Sequence, residues 1–374
     1  MASDPNDPVE ALPRLRLAHA PTPLLKVPAL DRRLGVDLWI KRDDATGGAE
    51  AGNKIRKLEF LLADALDRRA EVVITCGGLQ SNHARATALA CARLGLRAVL
   101  YLRVPDPAIA ARDLPLTGNV LLDRLAGAEI CFISPAEYRE RGAIMEHARY
   151  ELEAEGAPAY VVPEGGSNGL GSLGYVEAMR EVRRQLDLGL CEGLTSPAGT
   201  PATFDVVAHA CGSGGTGAGV ALGAAHFQVA RETWAFAVCD DRAYFETTIS
   251  RIAAEARGFD TSLPPLGLIE PGASRGSPAL TSPDGSARLV VDDQAKGPAY
   301  GVMDDDQKRF LVRVARQTGL VLDPVYSGKA LWGVARAVER GDIAPDANVL
   351  FLHTGGLPGL LAQGEELREA LDQR

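Results

Sequence analysis

Six cysteines stand among 374 residues, and they form no C-x-x-C pair; Cys76, Cys91, Cys131, Cys191, Cys211 and Cys239 lie scattered, several inside apolar runs. That spacing argues against a disulfide framework or a zinc cluster and reads as reduced core thiols of a cytoplasmic protein. None of the six histidines falls in an H-x-x-x-H or H-E-x-x-H spacing, so no metal is expected. No apolar run approaches the roughly 20 residues that cross a bilayer. The opening MASDPNDPVEALPR has neither the basic nor the apolar region of a secretory signal. Positive charge is in deficit too: 40 Lys and Arg against 49 Asp and Glu leave a formal charge of −9. Nucleic acids and anionic membranes need basic surface to displace counterions or meet headgroups, so neither is expected as a partner.

What remains is an ordinary soluble composition, 46% hydrophobic and 24% charged, in a chain long enough for two domains. From residue 37 onward, short β-rich runs end in Gly/Ser/Asn loops and lead into Ala/Leu-rich helical stretches, the mark of a parallel α/β sheet. The clearest unit is strand EVVIT (71–75), loop CGGLQSN (76–82), helix HARATALACARLGL (83–96) and strand RAVLYLR (97–103). The order returns at AYVVP (159–163) with EGGSNGLG (164–171), at FDVVAHA (204–210) with CGSGGTG (211–217), and at NVLFLH (348–353) with TGG (354–356). Two stretches break the rhythm. TSPAGTPA (195–202) reads as a surface loop. Residues 258–299, rich in Gly, Pro and Ser, are too many for a simple connector and are expected to fold over the active site or an oligomer interface.

The stretch AGNKIRKLEF (51–60) turns from a small flexible loop into an amphipathic helix, with Lys54 at the turn. A helix N-terminus favours anions, so Lys54, Arg56 and Lys57 together in its first turn run against the macrodipole. Two things could compensate: a bound anionic ligand, or a lysine whose amine is consumed in a Schiff base.

In open α/β sheets ligands sit beyond the carboxyl ends of the strands. There the loop CGSGGTG lets backbone N–H groups approach an anion closely while the next helix presents its positive end, a phosphate cradle. Tight packing alone is the bland alternative. A rival reading takes Gly212, Gly214 and Gly217 as G-x-G-x-x-G with Asp240 or Asp241 about 20 residues on, the signature of a dinucleotide-binding oxidoreductase. It leaves Lys54 and the next loop unexplained. In GGLQSNHAR (77–85), Ser81 or Asn82 alone reads as a helix cap. Gln80, Ser81, Asn82 and His83 in succession, beside free helix N–H groups, make a carboxylate-binding constellation.

The motifs GNKIRKLE, GGLQSNH, GSGGTGAG, KGPAYG (296–301), LDPVYSGKA (322–330) and HTGG (353–356), with the opening PTPLLKVPALDRRLGVDLWIKRDD (21–44), resemble in content and order the pyridoxal-phosphate-dependent 1-aminocyclopropane-1-carboxylate deaminase and D-cysteine desulfhydrase family. The resemblance covers about residues 14–363. It implies a fold type II, tryptophan synthase β-like α/β architecture with two open, twisted, mostly parallel sheets flanked by helices. A large cofactor domain (1–56 and 166–374) would enclose a small domain (57–165), and the chain would work as a homodimer. The cofactor would be pyridoxal 5'-phosphate. Carried over by position, the Schiff-base lysine is Lys54, Asn82 contacts the cofactor's phenolic oxygen, and Ser213, Gly214, Gly215, Thr216 and Gly217 form the phosphate loop. Ser81 faces the substrate and Tyr300 is the active-site tyrosine; Thr354 stands near the ring nitrogen, where cyclopropane deaminases of the family tend to carry leucine.

Two departures touch the substrate side. Ala51-Gly52-Asn53-Lys54 replaces the usual Gly-Gly-Asn-Lys, after GGAE (47–50), and Val302-Met303-Asp304 follows Tyr300-Gly301 where a proline is usual. The activity implied is α,β-elimination from D-cysteine or a similar β-substituted amino acid, giving pyruvate, ammonia and sulfide. Cyclopropane deamination and cysteate sulfo-lyase chemistry are the enzymatic alternatives, and a non-catalytic ligand-binding relative is the distant one.

Overall fold

In both sheets the strands that read as near-continuous apolar runs lie in the interior, as parallel strands covered on two faces must. The structure is a computed structural model that describes residues 9, 12–108, 113–114, 116–194, 202–273 and 279–373. The smaller sheet has four parallel strands in the order β5 (Glu129–Ile133), β4 (Arg97–Arg103), β3 (Val72–Gly78), β6 (Ala159–Val161). Strand β3 is buried from Val72 to Gly77, and the Ala-rich helix α3 (Asn82–Leu94) packs Ala84, Ala86, Ala88 and Ala90 into the apolar cluster on one side of it.

The larger sheet has seven strands in the order β1 (Leu24–Lys26), β2 (Asp37–Lys41), β11 (Asn348–Leu352), β7 (Phe204–Cys211), β8 (Ala230–Ala237), β10 (Ala287–Asp292), β9 (Leu266–Leu268). Only β1 runs antiparallel to its neighbour. After β7, helix α7 (Gly215–His226) is apolar all round and buried along nearly its whole length, as a helix inside a layered core must be. Helix α2 (Asn53–Asp67) packs against α3 and against α6 (Gly169–Asp187), so the helix that begins at Lys54 spans the two sheets.

Two expectations change. Strand 71–75 continues to Gly78, because Cys76, Gly77 and Gly78 pair with Tyr101, Leu102 and Arg103 of β4. Within the segment 258–299, β9 and β10 join the large sheet, with β10 buried throughout, and Ala299 near its end lines the cavity, so the segment supplies sheet strands as well as cavity wall. The run ARLVVD is a short buried strand between Gly/Pro/Ser turns, which mask it in composition. Most of the surface loop expected at 195–202 falls outside the described residues. Among the described residues no helix is long and apolar enough to cross a membrane, and no group of three or more metal-ligating side chains comes together.

Candidate active site

Lys54 is placed by the residue two before it. Gly52 has φ +126, a conformation open to glycine, and a Cβ there would fall 2.9 Å from the carbonyl oxygen of Thr354. That carbonyl accepts the Asn53 N–H at 3.1 Å, clamping the HTGG loop to the start of α2. The Asn53 side chain works in both directions. Its Nδ2 donates to Thr216 Oγ1 at 3.1 Å, and its Oδ1 accepts from Lys54 Nζ at 3.1 Å, so the lysine amine and the glycine loop are held by one amide. The amine lies 5.7 Å from the centre of the Tyr326 ring. Burial pushes it down to about 8, against the opposing pull of Asp323.

The glycine loop meets a second lysine. Lys57 Nζ donates to the Gly165 carbonyl at 3.1 Å and to Ser167 Oγ at 3.2 Å, and Ser167 Oγ in turn meets Ser213 Oγ at 2.8 Å and accepts the Gly215 N–H at 3.3 Å. A Cβ on Gly215 would fall 2.8 Å from Ser167 Oγ and 2.9 Å from Lys57 Nζ, so only bare backbone fits the cradle. Burial, and then the charge of Lys54, hold Lys57 well below the usual lysine range, and its hydrogen-bond partners are all neutral. A buried ammonium without a carboxylate, beside the open N–H groups of a helix's first turn, fits a phosphate ester. The residues present therefore suit pyridoxal phosphate: an amine for its aldehyde at Lys54 and a cationic, glycine-lined seat for its phosphate.

Ser81 caps α3, its Oγ accepting the Ala84 N–H at 3.2 Å, and it lines the same cavity. Asn82 also faces the cavity, its Oδ1 held by Asn119 Nδ2 at 3.1 Å. His83 borders it but is 3% exposed, with Nε2 on Thr75 Oγ1 at 2.8 Å, and burial keeps its imidazole well below its usual value and therefore neutral. Gln80 departs from expectation. Its Nε2 donates to the Thr117 carbonyl at 3.2 Å and its Oε1 accepts the Asn119 N–H at 2.8 Å, so the side chain serves the start of α4 (Gly118–Leu125) and turns away from the cavity.

The cavity of about 960 Å³ gathers Lys54, Ser81, Asn82, Ser213, Gly214, Thr216, Gly217, Tyr300 and Thr354 from the ends of both sheets. Gly215 stands just behind, in the first turn of α7. Tyr300 OH meets Tyr326 OH at 2.6 Å, and burial pushes the Tyr300 phenol up to about 12, so it keeps its proton near neutral pH. Its loop is anchored from below, where buried Lys329 donates to the carbonyls of Lys296 at 2.6 Å and Ala299 at 2.8 Å. The Val302-Met303-Asp304 departure is a helix start: Asp304 forms a capping box with Gln307 at the head of α9 (Asp305–Thr318).

Ser167 and Tyr326 escaped the sequence reading, and Lys57 entered it only as one of three cations at the helix start. Lys57 sits one turn after Lys54, Ser167 lies in the third Gly/Ser loop, and Tyr326 lies in the LDPVYSGKA run, so spacing and loop chemistry were the available signals. Of the two acidic residues open to the dinucleotide alternative, Asp241 is the cap of α8 (Arg242–Arg257), accepting the Tyr244 N–H at 2.9 Å, while Asp240 lines the cavity.

Residues 15–355 match the family described as pyridoxal-phosphate dependent enzyme. The chain is 40% identical over 356 residues to the bifunctional D-cysteine desulfhydrase/1-aminocyclopropane-1-carboxylate deaminase, mitochondrial, of Arabidopsis thaliana, covering 94% of this chain and 80% of that protein. Among solved structures it resembles an ACC deaminase homologue at 32% identity and TM-score 0.80, covering 97% and 98% of the two chains. Processed threonine deaminase isoform 2 of Solanum lycopersicum shares the fold, at 17% identity and TM-score 0.60 over 97% of this chain and 86% of that one.

Proposed function

The chain belongs to the pyridoxal-phosphate-dependent enzyme family, and on that premise we propose that it is a carbon–sulfur lyase that carries out α,β-elimination on D-cysteine or a close β-substituted analogue. The observation that carries the reading is the convergence on one cavity of a depressed amine at Lys54, a phosphate seat at the glycine loop and a helix start capped by Ser81. The bound cofactor supplies the electron sink that stabilises negative charge at the substrate's α-carbon.

Every other task falls to side chains. Lys54 Nζ would hold the cofactor through its aldehyde and, when released, would accept the substrate's α-proton; an amine at about 8 is far better suited to that than one at 10.5. Lys57, Ser213 and the N–H groups of Gly214, Thr216 and Gly217 would hold the phosphate, and Asn82 and Thr354 would contact the ring. Ser81 and the head of α3 bind the substrate carboxylate. Tyr300, still protonated near neutral pH, positions the β-substituent and donates to it as the Cβ–S bond breaks with its electron pair on sulfur. Pyruvate, ammonia and sulfide are the products.

Cyclopropane deamination is the second reading, and the name of the Arabidopsis relative, which joins both activities, supports it. Thr354 at the cavity, in place of leucine, weighs toward elimination. The test is to assay pyruvate and sulfide from D-cysteine beside 2-oxobutanoate from 1-aminocyclopropane-1-carboxylate. The reading expects the higher kcat/KM for D-cysteine, and a higher value for the cyclopropane reverses it.

The working form is a homodimer in a reducing compartment such as the cytoplasm. Exposed Leu121 and Leu125 on α4, beside exposed Leu357 and Leu361 on the adjoining α11 (Leu357–Ala362), offer an apolar face for a second copy, and the six cysteines are free thiols. Sedimentation equilibrium distinguishes dimer from monomer.

A further inference from the structure

Arg103 is the last residue of β4, in register with Gly78 on β3, so it stands at the ligand end of the small sheet beside the strand that leads to Ser81. Its guanidinium lies 4.9 Å from the centre of the Tyr138 ring and 5.7 Å from that of Tyr300. Tyr300 in turn lies over Gly78, where a Cβ would come 3.4 Å from its Cε1. Lys54, Tyr326, Tyr300 and Arg103 thus follow one another by contact along the cavity wall.

The charge of Arg103 has no answer among the described residues. Among the described residues no carboxylate pairs with it and no hydrogen-bond acceptor meets it, although it is half-buried. Glu164 is the acidic group near by, and both its oxygens are engaged, Oε1 by Tyr138 OH at 2.6 Å and Oε2 by Arg141 at 2.8 Å. Arg141 stacks on the same Tyr138 ring, also at 4.9 Å, yet has that partner. An arginine stacked on aromatic faces keeps its edge donors for a planar or trigonal oxyanion.

We propose that Arg103 makes the β-side of the cavity an anion-binding subsite, so that the enzyme favours amino acids whose β-substituent is a negatively charged sulfonate over uncharged substituents of equal size. The inference rests on the lyase reading of the same site and narrows its substrate class. Charge conservation favours it. When the Cβ–S bond of a sulfonate breaks, the electron pair stays on sulfur and sulfite leaves with two negative charges, one more than the bound group carried, while the α-proton has gone to Lys54. A guanidinium at that place attracts the departing group more strongly than the bound one, which is the condition for lowering a barrier.

An inert pair of probes separates the subsite from the chemistry. 3-Sulfopropanoate and 3-(methylsulfonyl)propanoate share the carboxylate, the chain length and nearly the same size, and neither carries an amine. Titrated calorimetrically into the holoenzyme, the sulfonate is expected to bind about tenfold tighter or more, the scale of one hydrogen bond to a charged group. Arg103→Met is expected to bring the two within about twofold, and Arg103→Gln does the same where the methionine variant does not fold. Equal affinity of the two probes in the wild type, or a preference that survives both substitutions, overturns the subsite. Turnover of cysteate and β-chloroalanine completes the test: Arg103→Met should lower kcat/KM for cysteate by about tenfold or more and leave β-chloroalanine nearly unaffected. An equal loss on both substrates also overturns it, since that marks a merely structural arginine. A probe preference without elimination from any β-substituted amino acid upholds the subsite and defeats the lyase reading; elimination without a probe preference does the reverse.

Discussion

Arg56 and Lys57 are neighbours in one helical turn, and their surroundings are opposites. Arg56 is fully buried and fully answered: its Nε and Nη2 meet the two oxygens of Asp43 at 2.8 and 2.9 Å, and its Nη1 meets Glu181 at 3.1 Å. Lys41 and Thr22 share the same carboxylates, and Tyr175 OH adds 2.8 Å to Asp43. Burial alone would raise the Asp43 carboxyl, but the Arg56 guanidinium holds it below its usual value. Lys57 is as deeply buried and has no carboxylate, only a carbonyl and a hydroxyl. About 100° of helical rotation separates a cation that ties α2 to the scaffold from one that waits for a ligand. On the proposed function, the three cations that oppose the helix dipole have two answers: Asp43 and Glu181 for Arg56, and the phosphorylated cofactor for Lys54 and Lys57.

Breaking the ligand side gives the largest effect. Lys54→Ala should lower kcat on the order of 10⁴-fold, since one amine serves as cofactor anchor and base, while thermal unfolding stays close to wild type; steady-state assay and a melting curve check both. Breaking the scaffold side gives the reverse pattern. Asp43→Ala strands a buried guanidinium and should remove about 3–5 kcal/mol from the free energy of denaturant unfolding, with little change in cofactor affinity per folded molecule. Lys57→Met comes next. It should weaken cofactor affinity by about 1.5–3 kcal/mol in a fluorescence titration and leave the cofactor-free protein no less stable, because a buried unpaired cation has gone.

The last contrast lies at the two ends of the pH scale. Lys54 in the cofactor-free protein titrates near 8, and in the unfolded chain near 10.5. Across that window the unfolded chain binds more protons, so this group makes stability rise with pH. Asp43 has its folded value below 3.8, so its contribution is present above 3.8 and is lost as pH falls through the folded value. Denaturant midpoints of wild type and Lys54→Met between pH 7 and 11 should converge as pH rises; parallel curves contradict the assignment.

The catalytic side was legible because it is local. Gly/Ser/Asn loops at strand ends and a lysine at a loop-to-helix turn lie in short runs, and the parallel topology brings the runs to one edge. The scaffold side was not, because Arg56 finds Asp43 across 13 residues and Glu181 across 125, and nothing in either segment marks the pairing. Gln80 shows the limit of local reading. A polar side chain on a loop looks the same whether it turns to a ligand or, as here, to the head of the next helix. Strand β10 was hidden in the same way, an apolar core short enough for its Gly/Pro/Ser flanks to dominate the composition.

Three lysines with depressed amines stand at or near the cavity, half-buried Lys54 and buried Lys57 and Lys329, and they compete as cofactor anchors. Borohydride reduction of the holoenzyme, proteolysis and mass spectrometry of the peptides would find which one carries the pyridoxyl group. The division of labour described above predicts modification of Lys54 alone; a label on Lys57 or Lys329, or none on any lysine, contradicts it.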